Sequence, residues 1–79
     1  MSGLLHIGFN NLVNTDKIVA ILSPDSAPVK RMITHAKDTG KIIDATQGRK
    51  TKAVIVCEND SVMLCALTPE TIASRAEEE

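Results

Sequence analysis

The pattern of apolar and polar residues near the start of the chain predicts two strands, one from an alternation and one from a continuous apolar run. Residues 4–9 alternate as a half-buried strand does, and the apolar face contains Leu5, Ile7 and Phe9. Asn10 and Asn11 then turn the chain. Residues 17–22 form a second strand, whose continuous apolar run after Lys17 indicates that both of its faces are covered.

The middle of the chain carries the pattern of an amphipathic helix. Ser26 is a favourable N-cap, Pro28 is tolerated in the first turn, and Gly40 is a C-terminal stop. The apolar side chains recur at helical spacing: Val29, Met32, Ile33 and Ala36. The polar side chains then face solvent: Lys30, Arg31, Thr34, Lys37 and Asp38. This stretch is the main helix of the predicted fold.

Three more strands are predicted over residues 41–46, 53–57 and 61–67, and the last two form a hairpin. Thr68 and Pro69 then begin a short helix that ends near Ala76. The acidic residues 77–79 oppose the helix dipole and should fray. The order of elements predicts one α+β domain over residues 1–79, with a small, mostly antiparallel sheet.

Composition adds that the hydrophobic core is thin. The chain has 79 residues, of which 43% are hydrophobic, and Phe9 is its one aromatic residue. A single core in a chain of about 70 to 80 residues seldom supplies more than about 3 to 5 kcal/mol, so small proteins add disulfides, metals or subunit contacts. In this chain, contacts between subunits are the favoured source of the additional stability.

The two cysteines, Cys57 and Cys65, are expected to be free thiols although they flank a turn. No basic leader opens the sequence, and the apolar runs are too short for a signal peptide or a membrane span. We therefore expect a cytoplasmic protein in a reducing compartment, with no membrane partner. Two Cys and two His at unrelated spacings match no metal site, and no cofactor is predicted.

A basic loop is the sharpest local feature, although the net charge of the chain is only -1. Residues 47–52 place Arg49, Lys50 and Lys52 directly after Gly48, between two strands. Such a cluster can neutralise the phosphates of a nucleic acid while glycine allows a close backbone approach. The alternative, a solvated charged loop without a ligand, is equally compatible with these residues.

Catalytic chemistry is not favoured by the remaining polar residues. His6 and His35 have no nucleophile or carboxylate partner fixed by spacing, and the glycines of residues 40–48 do not form a P-loop. Asp25, Asp44 and Asp60 are too dispersed for a carboxylate pair. An enzyme is therefore the least favoured class.

Two stretches of the sequence are distinctive: Ser-Pro-Asp-Ser-Ala-Pro at residues 23–28 and Gly-Arg-Lys-Thr-Lys at residues 48–52. They resemble the RemA family of bacterial extracellular-matrix regulators, and the similarity extends over nearly the whole chain. The resemblance implies a transcriptional regulator of matrix and biofilm genes. It also implies a LytTR-like fold, binding to double-stranded DNA, and assembly into a homo-oligomeric ring.

The resemblance also implies a set of DNA-binding residues. The residues carried over by position are Lys17, Pro28, Lys30, Arg31, Arg49 and Lys50. Lys52, the neighbouring cation of the basic loop, completes the set. The family favours arginine where this chain has Lys17, Lys50 and Lys52. Lysine neutralises phosphate but lacks the bidentate fork that reads guanine, so contacts to the DNA backbone should dominate.

A structural or adaptor ring that contacts other proteins is the alternative function. Small size and apolar strands predict oligomers in this case as well. Affinity for duplex DNA that depends on the basic loop separates the two hypotheses, because a scaffold should show none.

Overall fold

The structure, a computed structural model, describes residues 3–8 and 11–78. Its strands in chain order are β1 (Leu4–His6), β2 (Leu12–Asn14), β3 (Ile18–Leu22), β4 (Ile42–Asp44), β5 (Ala53–Cys57) and β6 (Val62–Cys65). Its α-helices are α1 (Ala27–Thr39) and α2 (Pro69–Glu78). The predicted α+β class is confirmed.

The strands form two sheets rather than one. A four-stranded sheet has the order β3-β5-β6-β4, and β1 pairs with β2 in a separate two-stranded sheet. Among the strands of the described residues, β4 and β6 form the only parallel pair, so the prediction of mostly antiparallel pairing is confirmed. The sequence pattern missed β2, because three residues are too few to show an alternation.

Strand β5, one of the two inner strands of the four-stranded sheet, is buried on both faces. Ala53, Val54 and Ile55 are each 0% exposed. Val54 belongs to the cluster beneath α1, whereas Ala53 and Ile55 belong to the cluster formed with β1, β2 and α2. The sheet is therefore the middle layer, with α1 on one side and the small sheet and α2 on the other.

Local sequence explains where α1 begins and ends. The Ser26 hydroxyl accepts a hydrogen bond from the Val29 N–H at 3.3 Å, and Gly40 adopts the left-handed conformation that ends the helix. The predicted apolar stripe packs on the sheet: Val29, Met32, Ile33 and Ala36. Both the helix and its buried face were correctly predicted.

The second strand is covered on both faces only near its end, where Ile21 packs against the cluster formed with β1, β2 and α2 and Leu22 packs against the cluster beneath α1. This strand, β3, lies at an edge of the sheet, and Val19 is 67% exposed. The pairing with β5 is irregular between Ile18 and Ala20, as it is at a β-bulge. An apolar run does not reveal its place in a sheet, and the strands with buried residues on both faces are the inner strands β5 and β6.

The two ends of the chain pack against each other through α2 and β1. Thr68 caps α2, because its hydroxyl accepts a hydrogen bond from the Thr71 N–H at 3.2 Å. Ile72 is completely buried, and Arg75 Nη1 donates to the carbonyl oxygen of His6 at 3.1 Å. The helix continues to Glu78, two residues beyond the predicted end.

The first strand has the predicted two faces over the residues that are described. Leu5 and Ile7 are buried, whereas Leu4 and His6 are exposed. Phe9 and Asn10 lie outside the described residues. The predicted turn is present at Asn11, whose N–H donates to the Gly8 carbonyl at 2.9 Å.

Replacing Ile55 by alanine should destabilise the protein by about 2 to 5 kcal/mol, because Ile55 is completely buried and the smaller side chain leaves a cavity. Urea unfolding measures this free energy. Ile43→Ala is the matched control, since this isoleucine is 50% exposed. An equal loss in both variants would contradict the role of β5 as the buried centre.

Candidate nucleic-acid interface

The direction of the strands divides the connecting segments between the two ends of the four-stranded sheet. Because β5 is antiparallel to β3 and β6, and β4 is parallel to β6, three strands end where β5 begins. We call this the loop end; it contains residues 23–26, 45–52 and 66–68. The opposite end, the turn end, contains residues 15–17, 40–41 and 58–61.

The basic loop at the loop end is attached to β6 on both sides and contains a tight turn. The Ala45 N–H donates to the Leu64 carbonyl at 2.9 Å, and the Lys52 N–H donates to the Cys65 carbonyl at 2.8 Å. Between these attachments the Arg49 N–H donates to the Thr46 carbonyl at 3.0 Å. The two residues inside this turn have positive φ values of 55° and 81°, as in a type I′ turn: Gln47 and Gly48.

A carboxylate at the end of β4 holds the first residue of this turn. Asp44 Oδ1 accepts hydrogen bonds from the Thr46 hydroxyl at 2.6 Å and from the Thr46 N–H at 2.9 Å. The hydroxyl bond and then the N–H bond hold the pKa of Asp44 below its usual value of 3.8. Thr46 itself is only 3% exposed, so a buried residue joins the loop to the core.

Six of the seven predicted binding residues lie in the basic loop or in the first two turns of α1, which begins at the loop end. Arg49, Lys50 and Lys52 are exposed in the basic loop. Four residues separate β3 from helix α1, and Pro28, Lys30 and Arg31 are exposed in the first two turns of the helix. The positive end of the α1 dipole adds to the field of these cations. We call the five charged residues the cationic end; they are Lys30, Arg31, Arg49, Lys50 and Lys52.

The seventh predicted residue, Lys17, lies at the turn end. It directly precedes β3, which is five residues long and therefore spans about 16 Å. Its Nζ is 3.4 Å from Glu58 Oε2, and the two side chains are 59% and 52% exposed. Such a surface ion pair contributes about 0 to 1 kcal/mol. Within one copy of the chain, Lys17 therefore lies at the opposite end of the sheet from the other six predicted residues.

The other polar candidates occupy structural positions. Asp25 accepts a hydrogen bond from the Ser23 hydroxyl at 3.4 Å, and Asp60 lies in the turn after β5, as predicted. His6 is exposed on β1, and His35 is exposed on α1. Within residues 3–8 and 11–78, the acidic, His and Cys side chains form no group of three that could hold a metal ion.

The two cysteines are free thiols with different environments. Cys65 is buried; its Sγ donates to the Ile7 carbonyl at 3.2 Å and accepts from the Leu67 N–H at 3.4 Å. Cys57 is partly buried, and burial raises the pKa of its thiol, which keeps it protonated and poorly nucleophilic at neutral pH. Both cysteines therefore pack as small apolar residues.

Sequence reasoning missed the role of Asp44 and Thr46. The sequence signal was present, because an Asp two residues before a Thr at the end of a strand is typical of a side-chain turn. Asp44 was instead considered only as half of a carboxylate pair. The buried state of Thr46 could not be read from the sequence, since threonine is exposed in most proteins.

Comparisons with known proteins agree on one family. Residues 4–76 match the family described as extracellular matrix regulatory protein A-like, or RemA-like. A candidate regulatory protein from Desulforudis audaxviator is 58% identical over 72 residues, which is 91% of this chain and 76% of that protein. A counterpart from Nostoc punctiforme is 54% identical over 72 residues, covering 91% and 82% of the two chains.

A third relative, from Clostridium botulinum, is 54% identical over 80 aligned residues, covering 96% of this chain and 88% of the relative. It too is named as a candidate regulatory protein. The family and these names indicate a regulatory protein rather than an enzyme. Neither helix in the described part of the chain is long and apolar enough to cross a membrane.

Replacing Gly48 by alanine should destabilise the protein by about 1 kcal/mol, because a Cβ disfavours the positive φ of this position. No neighbouring atom lies within 4 Å of the added Cβ, so the cost is conformational and not steric. Gln47→Asn is the control: asparagine tolerates positive φ, and stability should change by less than about 0.5 kcal/mol. Urea unfolding of both variants is the measurement, and equal stability of Gly48→Ala and wild type would contradict the turn.

Proposed function

Because this chain belongs to the RemA-like family of extracellular matrix regulatory proteins, we propose that it is a regulator that binds duplex DNA. The observation that carries the proposal is the cationic end. Five exposed cations from two separate segments share one end of the sheet, although the net charge of the chain is only -1. A polyanion is the class of partner that such a local excess of positive charge attracts.

The composition of the cationic end favours contacts to phosphates over contacts to base edges. Three of its five residues are lysines, which neutralise phosphates without the planar fork that recognises guanine. Each phosphate contact releases condensed counterions, so affinity should fall steeply as salt rises. The regulator would then recognise its sites partly through the shape and flexibility of the DNA.

We also propose that several copies act together as a ring. One chain offers few cations, and a ring would present the cationic end repeatedly, so that weak contacts add up along a bent duplex. Exposed apolar side chains support contacts between copies: Leu4, Leu12, Val19 and Ile43. In such an assembly we expect the Lys17 of one copy to lie near the cationic end of its neighbour. We further propose that the protein acts in the cytoplasm and controls matrix and biofilm genes.

Replacing Arg49 and Lys50 together by alanine should weaken binding to a 30-base-pair duplex and flatten its salt dependence. The slope of log affinity against log salt should decrease by about 0.9 for each lost phosphate contact. Fluorescence anisotropy at several salt concentrations measures both quantities. The circular dichroism spectrum should remain that of the wild type, because both side chains are exposed.

Lys41→Ala is the matched control, since Lys41 is an exposed lysine at the turn end, where its Nζ donates to the Asn59 carbonyl at 3.2 Å. Its slope should equal that of the wild type. If the double variant binds as the wild type does, the loop is not the site. A wild-type protein that binds no duplex even at low salt would instead favour the adaptor hypothesis.

Light scattering with and without duplex DNA should report a discrete homo-oligomer in both conditions. Replacing Val19 by lysine places a charge at the exposed edge of the four-stranded sheet, and it should reduce the mass if copies meet there. The corresponding Leu12→Lys variant tests the outer face of the small sheet. A monomeric wild-type protein at micromolar concentration would contradict the ring.

A further inference from the structure

We propose that Asp44 and Thr46 are positioning residues that hold the basic loop in the conformation in which it binds DNA. The proposal rests on the proposed function, because it concerns the same loop. Neither side chain would contact the duplex in this role. They act through the turn that carries Arg49 and Lys50.

The hydrogen bonds of Asp44 connect a strand to the turn that follows it. Asp44 is the last residue of β4, and its Oδ1 accepts both the N–H and the hydroxyl of Thr46. The carbonyl of the same threonine then accepts the Arg49 N–H that closes the turn. Thr46 therefore links the carboxylate on one side to the first cation of the loop on the other.

The turn needs this support because its backbone is uncommon. Gln47 has a φ of 55°, a conformation that side-chain-bearing residues seldom adopt, and Gly48 follows with a φ of 81°. Without the bonds to Asp44 the loop would sample other conformations, and DNA would have to order it on binding. When the turn is already ordered in the free protein, less conformational entropy is lost on binding, and the affinity for DNA is higher.

The direction in which DNA affinity changes when Asp44 is replaced tests the proposal, because the negative charge of Asp44 and its hydrogen bonds have opposite effects on binding. An exposed carboxylate beside a polyanion site repels phosphate, so electrostatics alone predicts that Asp44→Ala binds DNA more tightly. Loss of the turn predicts the opposite. Asp25 is the matched control, because it is another exposed aspartate at the loop end and is hydrogen-bonded only to Ser23.

Affinity for a duplex is measured as a function of salt for four variants at the site and one control. Asp44→Ala and Thr46→Val should bind about three- to tenfold more weakly, as expected for lost neutral or charge-assisted hydrogen bonds. Asp44→Asn keeps the acceptor without the charge and should bind as well as the wild type or more tightly, whereas Thr46→Ser keeps the hydroxyl and should stay within about twofold of the wild type. Asp25→Ala should bind as well as the wild type or more tightly.

The salt dependence separates positioning from contact. The slope should be the same in all five variants, because no phosphate contact is removed, whereas removing Arg49 and Lys50 flattens it. Asp44→Ala binding as tightly as Asp25→Ala would overturn the proposal. So would a flattened slope in Thr46→Val, which changes no charge.

Amide hydrogen exchange gives a readout that does not need DNA. In Asp44→Ala the amides of Thr46 and Arg49 should exchange at least tenfold faster than in the wild type, while the amide of Ile55 in β5 stays protected. Unchanged exchange at the two loop amides would overturn the proposal. If the wild type binds no duplex, the proposed function fails, yet the exchange experiment still decides whether Asp44 holds the turn.

Discussion

Burial of β5 on both faces is the constraint on which the rest of the structure depends. A chain of 79 residues with one aromatic residue has little apolar surface to bury, and the sheet uses it on two sides at once. Helix α1 covers one face, and β1, β2 and α2 cover the other. Val54 belongs to the cluster beneath α1, and Ala53 and Ile55 belong to the cluster on the other face, so loss of either layer would expose the same strand.

This layered arrangement also determines where the charges lie. Strand direction brings the start of α1 and the segment between β4 and β5 to one end of the sheet, so cations from two parts of the chain share a surface. The hydrogen bonds of Asp44 give the second segment a defined conformation, although it has no regular secondary structure. Binding residues are commonly presented on a loop whose conformation is fixed by hydrogen bonds to a rigid sheet.

Much of the fold was readable from short-range pattern. Helix α1 was predicted with its cap at Ser26 and its stop at Gly40, because capping and amphipathic spacing are local properties. The pairing of β5 with β6 was predicted for the same reason, since a short turn connects them. Of the candidate site, the cations of the basic loop were evident from their clustering, whereas the role of Asp44 was not.

The sequence by itself determined the α+β class, the main helix and the presence of a basic loop, because each depends on residues that are near neighbours in the chain. Only the tertiary structure decided which apolar strand is central. The runs in β3 and β5 look alike, yet Val19 is largely exposed and Val54 is buried. It also placed Lys17 at the far end from the cationic end, since strand order and direction come from long-range pairing that no local pattern encodes.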